Sequence, residues 1–301
     1  MRIAITGATG LVGTELTEKL SEKGYEMTRV VRSLRPDDDP EKVVRWNPEL
    51  NQIESGKLEG LEVVIHLAGE NVSSGRWTKA KKKRILGSRV KGTSLLSQTL
   101  AGLKQPPKLL LSASGIAYGH QPPDVKVDEN SPRGQDFLSR VILEWEKATA
   151  PAQKAGIRVI HMRFGMVLSR KGGALAKMLP AFRMGVGGKI GDGKQMVSWV
   201  ALEEVPLIVE HLIKEDSISG PVNMVGPQPV SNEEFTRQLG DALGRPAIFP
   251  LPAFAMRMIF GEMADALLLG GCHIIPRKLQ ESGYVFTYPD LKETLRHILK
   301  K

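Results

Sequence analysis

Two hydrophobic periods alternate along the first half of the chain. Short apolar runs rich in β-branched residues have strand length: RIAIT from Arg2, EMTRVVR from Glu26, EVVIHLA from Glu62, PKLLLSA from Pro107 and GIRVIHMR from Gly156. Between them, apolar positions recur with helical spacing from Leu11 to about Lys23, from about Thr78 to Leu103, and from about Asp136 to Lys154. Strands separated by helices in this rhythm predict right-handed βαβ units and an α/β fold of the Rossmann-like, doubly wound type, its parallel sheet covered on both faces. Gly119 to Gln135 reads as a long loop rich in Pro, Asp, Asn and Gly. A glycine-rich, basic stretch after Phe164 leads to a helix near Glu203 to Lys214, and GPVNMVG looks like a further strand. From Ser231 onward the pattern is mainly helical, with Ser231 and Glu234 spaced as a capping box and turns at RPAIFPLP. The expected division is a Rossmann domain over 1–170 and a smaller, mainly helical substrate-side region over 171–301, including a terminal domain at about 231–301.

Composition narrows the class. The 301 residues are 41% hydrophobic and 25% charged, which suits a globular chain with a large core. The lone Cys272 cannot form an internal disulfide, and the first residues lack the order of a secretory signal, so a cytoplasmic protein is expected. The longest apolar stretches fall short of the roughly 18 to 20 residues that cross a bilayer, and no membrane partner is expected. A net charge of +9 leaves several partners open, but its densest run, Lys79 to Arg84, lies in a helical pattern and reads as a solvated face. Without aromatic interleaving or a recognition-helix signature, the run argues against nucleic acid. The six histidines are scattered without metal-ligand spacing, and no metal is expected; His66 and His161 fall in apolar strands and read as satisfied core or sheet-end groups.

Candidate chemistry begins at ITGATGLVG. Gly7, Gly10 and Gly13 directly follow the first strand and open the first helix, where glycines allow a tight turn and close approach to a pyrophosphate. The helix start adds free N–H groups and the positive end of its dipole. At the end of the second strand, where an NAD enzyme usually carries an acid, the chain reads VVRS and places Arg32. A guanidinium there can grip the extra phosphate of NADP(H) with paired hydrogen bonds, which makes NADP(H) the expected cofactor.

These features, with HLAGEN, SASGIAYG and RFGMVL in order, resemble the extended short-chain dehydrogenase/reductases of the epimerase/dehydratase group. The tail from Arg245 resembles the C-terminal domain of unknown function found in one branch of that group. The resemblance implies that Gly7, Thr9, Gly10, Leu11 and Val12 line the pyrophosphate, Arg32 the adenosine phosphate, and Leu67, Ala68 and Gly69 the adenine-side ribose. It also implies that Met166 and Val167 approach the nicotinamide and that a homodimer forms through the helices near Thr78 and Asp136. Arg89 stands where the family often has an asparagine facing the cofactor. An arginine there could reach a phosphate or ribose oxygen, or lie on the surface. Arg170, Lys171, Lys177, Arg183, Lys189 and Lys194 border the region where the family binds substrate and could clamp a diphosphate or simply be surface.

The family's catalytic serine is matched by Ser114, four residues before Tyr118-Gly119. Its Tyr-x-x-x-Lys pair is not matched: aligning Ser139 and Glu144 of DFLSRVILEWE puts Asp136 at the tyrosine and Arg140 at the lysine. Aspartate is ionised near neutrality and arginine does not release its proton, so the usual tuning of a phenol by a neighbouring ammonium is lost. A bland alternative is a helix-start Asp136 bridged to Arg140. Two readings follow. In one, the chain is an NADP(H)-dependent oxidoreductase or epimerase for a small carbonyl, hydroxyl or nucleotide-sugar substrate, with Ser114 binding substrate and Tyr118 exchanging the proton. In the other, Tyr118 packs under the loop and the chain is a catalytically silent NADP(H)-binding sensor or scaffold.

Overall fold

The computed structural model describes residues 1–36, 38–116 and 118–300. The nucleotide half runs β1 (Arg2–Thr6), α1 (Leu11–Glu22), β2 (Glu26–Val31), β3 (Val43–Asn47), β4 (Gln52–Ile53), β5 (Val63–His66), α2 (Lys79–Ala101) and β6 (Leu109–Gly115). It continues through β7 (Lys126–Val127), α3 (Phe137–Lys147), α4 (Ala150–Lys154), β8 (Arg158–Phe164) and β9 (Met166–Leu168). There follow α5 (Gly173–Arg183), β10 (Met196–Val197), β11 (Trp199–Ala201), α6 (Glu204–Lys214), β12 (Gly220–Met224) and β13 (Val230–Ser231). The last elements are α7 (Asn232–Leu243), α8 (Ala253–Phe260), α9 (Glu262–Leu267), β14 (His273–Ile274), α10 (Arg277–Glu281) and α11 (Leu291–Lys300).

The central sheet has the order β12-β8-β6-β5-β1-β2-β3-β4. Its pairs are parallel except β3 with β4. Chain order reverses between β1 and β5, the switch point where open α/β sheets bind ligands at the carboxyl ends of their strands. The period of two along each strand sorts the core. Ile3, Ile5, Leu109, Leu111, Ile160 and Met162 face Leu16 and Leu20 of α1 and Ile208, Val209 and Leu212 of α6. Ala4, Val64, Leu110 and Val159 face the other way, onto Leu95, Leu96 and Leu100 of α2 and Ala152 of α4. A third core joins Leu175, Leu179 and Phe182 of α5 to Phe235 and Leu239 of α7 and Leu295 and Ile298 of α11.

Several expectations shift. VVRWN forms β3, which the sequence reading passes over: Val43, Val44 and Trp46 are buried, but the run is broken by the exposed Arg45 and follows a polar loop. The stretch from Asp136 to Lys154 splits into α3 and α4, because Thr149 Oγ1 donates to the Glu146 carbonyl at 2.7 Å and Pro151 cannot donate to the helix ladder. The expected boundary at residue 170 is crossed by the sheet itself, since α6 and β12 from beyond it complete one face and one edge. Half of the capping box at α7 is made: Ser231 Oγ accepts from Glu234 N at 3.1 Å, while the Glu234 carboxylate is taken by Arg237 and Gln238. Among the described residues, no helix is long and apolar enough to cross a membrane.

Buried polar groups inside these layers are paired in chains. Thr6 Oγ1 lies 2.7 Å from His66 Nδ1, His66 Nε2 lies 2.9 Å from Thr93 Oγ1, and Trp145 Nε1 donates to the same Thr93 oxygen at 2.9 Å. His161 Nε2 meets Thr149 Oγ1 at 2.9 Å. Burial lowers the His66 pKa to about 4, and lowers that of His161 to about 4 against the opposing pull of Glu146. Unfolded imidazoles, titrating near 6.5, take up protons that the folded chain refuses until about pH 4. Stability from both groups is therefore complete above the unfolded value and lost as the pH falls through that window. The loss amounts to roughly 3 kcal/mol for each group across the whole window. Urea midpoints should fall steadily on acidification below neutrality, and His66→Gln should flatten the profile; a midpoint indifferent to pH over that range would contradict the assignment.

Candidate functional site

The glycine turn at the carboxyl end of β1 is sterically required. Gly7 has φ +68, and a Cβ on it would lie 3.0 Å from the Leu67 carbonyl carbon and 3.1 Å from Ala68 N. A Cβ on Gly13 would stand 2.1 Å from the Gly7 oxygen. Gly10 N donates to Gly7 O at 3.0 Å, and Gly10 then serves as N-cap of α1 with no side chain to offer. By contrast, Thr78, Asp136 and Ser231 cap α2, α3 and α7 with side-chain oxygens. The first N–H groups of α1 thus need a partner from outside the helix, and its first turn carries no acid to repel an anion.

Thr6 fixes the neighbouring loop, its Oγ1 accepting from Leu67 N at 3.0 Å and Ala68 N at 3.1 Å. Leu67 is thereby brought beside Gly7, and Val12, Leu67 and Val167, each partly buried, pack against the α1-side core. Met166 N donates to Ser198 O at 2.9 Å and β9 pairs with β11, which sets Met166 and Val167 on a second short sheet. Leu11 packs beneath Gly172 and Gly173. Thr9 lies with Arg29 and Arg35 along a surface groove at the foot of α1, and Arg32 is exposed at the end of β2. Arg89 turns inward rather than onto the surface. Its Nη1 donates to the Glu70 carbonyl at 2.9 Å and to the Ile85 carbonyl at 3.1 Å, and its guanidinium lies 4.8 Å from the Trp145 ring, against Gly69. Burial lowers its pKa to about 10, partly offset by Glu70. Lys81, from the run read as a solvated face, is buried on Glu70 Oε1 at 2.6 Å and Ser74 Oγ at 2.7 Å.

The catalytic wall differs more. Ser114 ends β6, buried, and its hydroxyl donates to Glu146 Oε1 at 2.9 Å. Glu146 also accepts from Arg163 Nε at 2.8 Å, from Arg163 Nη2 at 2.9 Å and from Arg133 Nη2. Burial opposes ionisation of Glu146, but the hydrogen bonds and charge of Arg163 outweigh it and hold the carboxyl below its ordinary value. Arg163 Nη1 in turn donates to the Tyr118 hydroxyl at 3.0 Å, and that hydroxyl donates to Asn223 Oδ1 at 2.9 Å. Tyr118 is wholly buried among Val127, Val225, Cys272 and Ile274, and burial raises its pKa. The structure brings Ser114 and Tyr118 into one network, but through Glu146 and Arg163, with the phenol packed in the core.

Asp136 caps α3, accepting from Ser139 N at 2.8 Å and Ser139 Oγ at 3.1 Å. Arg140 is exposed, and no ion pair joins it to Asp136 among the described residues. Sequence reasoning missed Glu146, Arg163 and Asn223. The available signal was the register of β6 on β8, which pairs Ser112 with His161 and Ser114 with Arg163: polar residues at alternate positions of two neighbouring apolar strands must share a buried face.

The C-terminal part closes this end of the sheet. Cys272 Sγ donates to Gly119 O at 2.6 Å, Gln121 N to Gly271 O at 3.4 Å, and Ser198 Oγ to Cys272 O at 2.8 Å. A Cβ on Gly271 would lie 2.0 Å from Met196 O, so this strand threads where only glycine fits. Burial raises the Cys272 thiol to about 11, which suits packing rather than nucleophilic chemistry. Arg76 Nη2 donates to Met258 O at 3.1 Å, Lys82 pairs with Glu262, and Met263 packs with Trp77, Ile85 and Val141. On the opposite side, Lys177 Nζ donates to Ser73 Oγ at 3.1 Å and Lys189 pairs with Glu233. With Lys171 Nζ on Glu15 Oε2 at 3.1 Å, three of the six cations considered for a diphosphate clamp are therefore committed to the protein itself.

Comparison with known proteins agrees with this geometry. Residues 3–224 match the model of the NAD dependent epimerase/dehydratase family, and residues 251–298 match a domain of unknown function, DUF1731. An epimerase family protein of Mycobacterium bovis is 38% identical over 97% of this chain and 96% of its own length. YfhF of Bacillus subtilis, also named an epimerase family protein, is 33% identical over 99% of this chain and 98% of its own. The crystal structure of human epimerase family protein SDR39U1 with NADPH superposes with a TM-score of 0.91 at 36% identity, covering 100% of both chains. With the glycine turn, the sheet order and relatives aligned over nearly its full length, the chain belongs to the NAD dependent epimerase/dehydratase family.

Proposed function

We propose that this chain binds NADP(H) at the carboxyl end of its sheet and acts as an oxidoreductase or epimerase on a small carbonyl, hydroxyl or nucleotide-sugar compound. The observation that carries the binding is the uncapped start of α1 behind a glycine turn that no side chain could replace, pinned beside Leu67 and Ala68 by Thr6. Gly7, Thr9, Gly10, Leu11 and Val12 would hold the pyrophosphate on backbone N–H groups, and Arg32 would meet the adenosine phosphate. Leu67, Ala68 and Gly69 would flank the ribose, with Arg89 keeping that loop in shape. Met166 and Val167 would bound the nicotinamide side. The NADPH in the human relative's crystal structure supports the same cofactor here. When bound, the cofactor supplies a hydride donor or acceptor.

The chain's own share of the chemistry is positioning. Ser114 is the residue proposed to hold the substrate oxygen. Its one proton is spent on Glu146, so toward a substrate it offers lone pairs, which suit a hydroxyl donor. For Tyr118 a structural role is the reading we favour over proton exchange, because its hydroxyl is already shared between Arg163 and Asn223. A second reading, a silent NADP(H)-binding sensor or scaffold, is favoured by a specific observation: Tyr118 is buried, Asp136 is a helix cap and Arg140 has no carboxylate partner among the described residues.

Fluorescence titration with NADPH and NADH measures the cofactor preference. NADPH should bind more tightly, and Arg32→Ala should remove about ten- to a hundredfold of that preference; equal affinities in the parent chain would reject the assignment. Deuteride transfer from labelled NADPH to a panel of carbonyls and nucleotide sugars separates enzyme from silent binder. Ser114→Ala should abolish transfer, whereas Tyr118→Phe should retain it while lowering stability by about 1 to 3 kcal/mol. No transfer to any compound would favour the silent reading, and loss of turnover in a folded Tyr118→Phe would return the phenol to catalysis.

A further inference from the structure

Beside the part of the C-terminal region that closes over α2, three neighbouring segments put apolar side chains into solvent. Met184 and Val186 lead into a stretch whose backbone pairs with residues 249–251, Phe249 N donating to Gly187 O at 3.2 Å and Leu251 N to Lys189 O at 2.8 Å. Ile248 and Phe249 stand on that partner stretch. Helix α8 follows at once, with Phe254 and Met258 one turn apart on a single face. Ile248 is 73% exposed, Phe254 67% and Met258 70%. A side chain that lines a protein groove is flanked by its walls, whereas these stand clear of the surface, as suits insertion into a yielding medium. The sequence of α8, AFAMRMIF, holds one charge, and Met256 is buried on its inner side. A helix apolar on both sides is normally covered on both.

Charge selects the cover. Arg183 and Arg245 flank these segments, both exposed, and neither has an ion-pair partner among the described residues. The nearby acids are engaged: Asp265 with Arg257, Glu262 with Lys82, Glu233 with Lys189, and Asp192 with the backbone N–H of Lys194. The border keeps uncompensated positive charge on a chain whose net charge is already +9. We propose that this face docks on an anionic lipid bilayer, with Phe254, Met258 and Ile248 entering the interfacial layer and Arg183 and Arg245 resting on lipid phosphates. A second copy of the chain fits less well, because a two-fold contact would gather the same two arginines from both copies against one acid from each, Asp192, that no cation pairs among the described residues. The contact is peripheral, since no described helix spans a membrane. It revises the expectation that membranes play no part.

Co-sedimentation of the full chain with phosphatidylcholine vesicles, with and without phosphatidylglycerol, tests the proposal. The chain should sediment only with the anionic vesicles and be released at high salt. Phe254→Ser and Met258→Ser should each lower the bound fraction about tenfold, and Arg183→Ser about fivefold. NADPH titration of each variant checks that the fold is intact and reads the cofactor assignment separately. Equal recovery in the supernatant with both vesicle types would overturn the proposal. So would a concentration-dependent dimer that Phe254→Ser dissolves while no vesicle binding is seen.

Discussion

A guanidinium buried inside a parallel sheet has to be neutralised from within the fold, and Arg163 dictates much of what surrounds it. Both oxygens of Glu146 are turned to it, so α3 must lie close enough over β6 and β8 to deliver that carboxylate. Removing Glu146 would leave an uncompensated buried charge, a loss of several kcal/mol, so the two elements are locked together. With Ser114 and Arg133 added, the four acceptor positions of the carboxylate are filled. Arg163 Nη1 carries the network on through Tyr118 to Asn223 on the edge strand β12. One ion pair therefore couples the middle of the sheet, its covering helix and its far edge.

That coupling changes the meaning of the altered catalytic helix. In the wider family the start of this helix supplies a phenol and an ammonium, whereas here Asp136 spends its carboxylate on the helix's own N–H groups and Arg140 points to solvent. The inner side of the same helix carries the interaction that the sheet cannot lose.

What the sequence made legible follows the range of the forces involved. The glycine turn is local, since Gly7, Gly10 and Gly13 meet one another within seven residues, and the pattern alone placed them. The parallel sheet was readable because most of its strands are nearly continuous apolar runs, while β3, broken by the exposed Arg45 and set behind a polar loop, was not. The surroundings of Tyr118 were not readable, because spacing from Ser114 says how far it is along the chain and not which way the loop turns; its partners, Asn223 and Arg163, lie 105 and 45 residues away. Lys81 was read as solvated by its basic neighbours, yet the partner that draws it in, Glu70, lies across a loop.

The weave of the last residues into the first has a consequence for how the protein comes into being. Glu204 on α6 is fully buried and is satisfied by Tyr284, by Thr287 N at 3.2 Å and by Tyr288 N at 2.7 Å. Asn223 on β12 donates to the Ile275 carbonyl at 3.0 Å. A ribosome releases the chain from its N-terminus, so α6 and β12 emerge with these polar groups still lacking their partners. Helix α6 and strand β12 must wait, partly formed, for a segment made tens of residues later. In this protein the terminal region is a late-arriving component of the sheet domain.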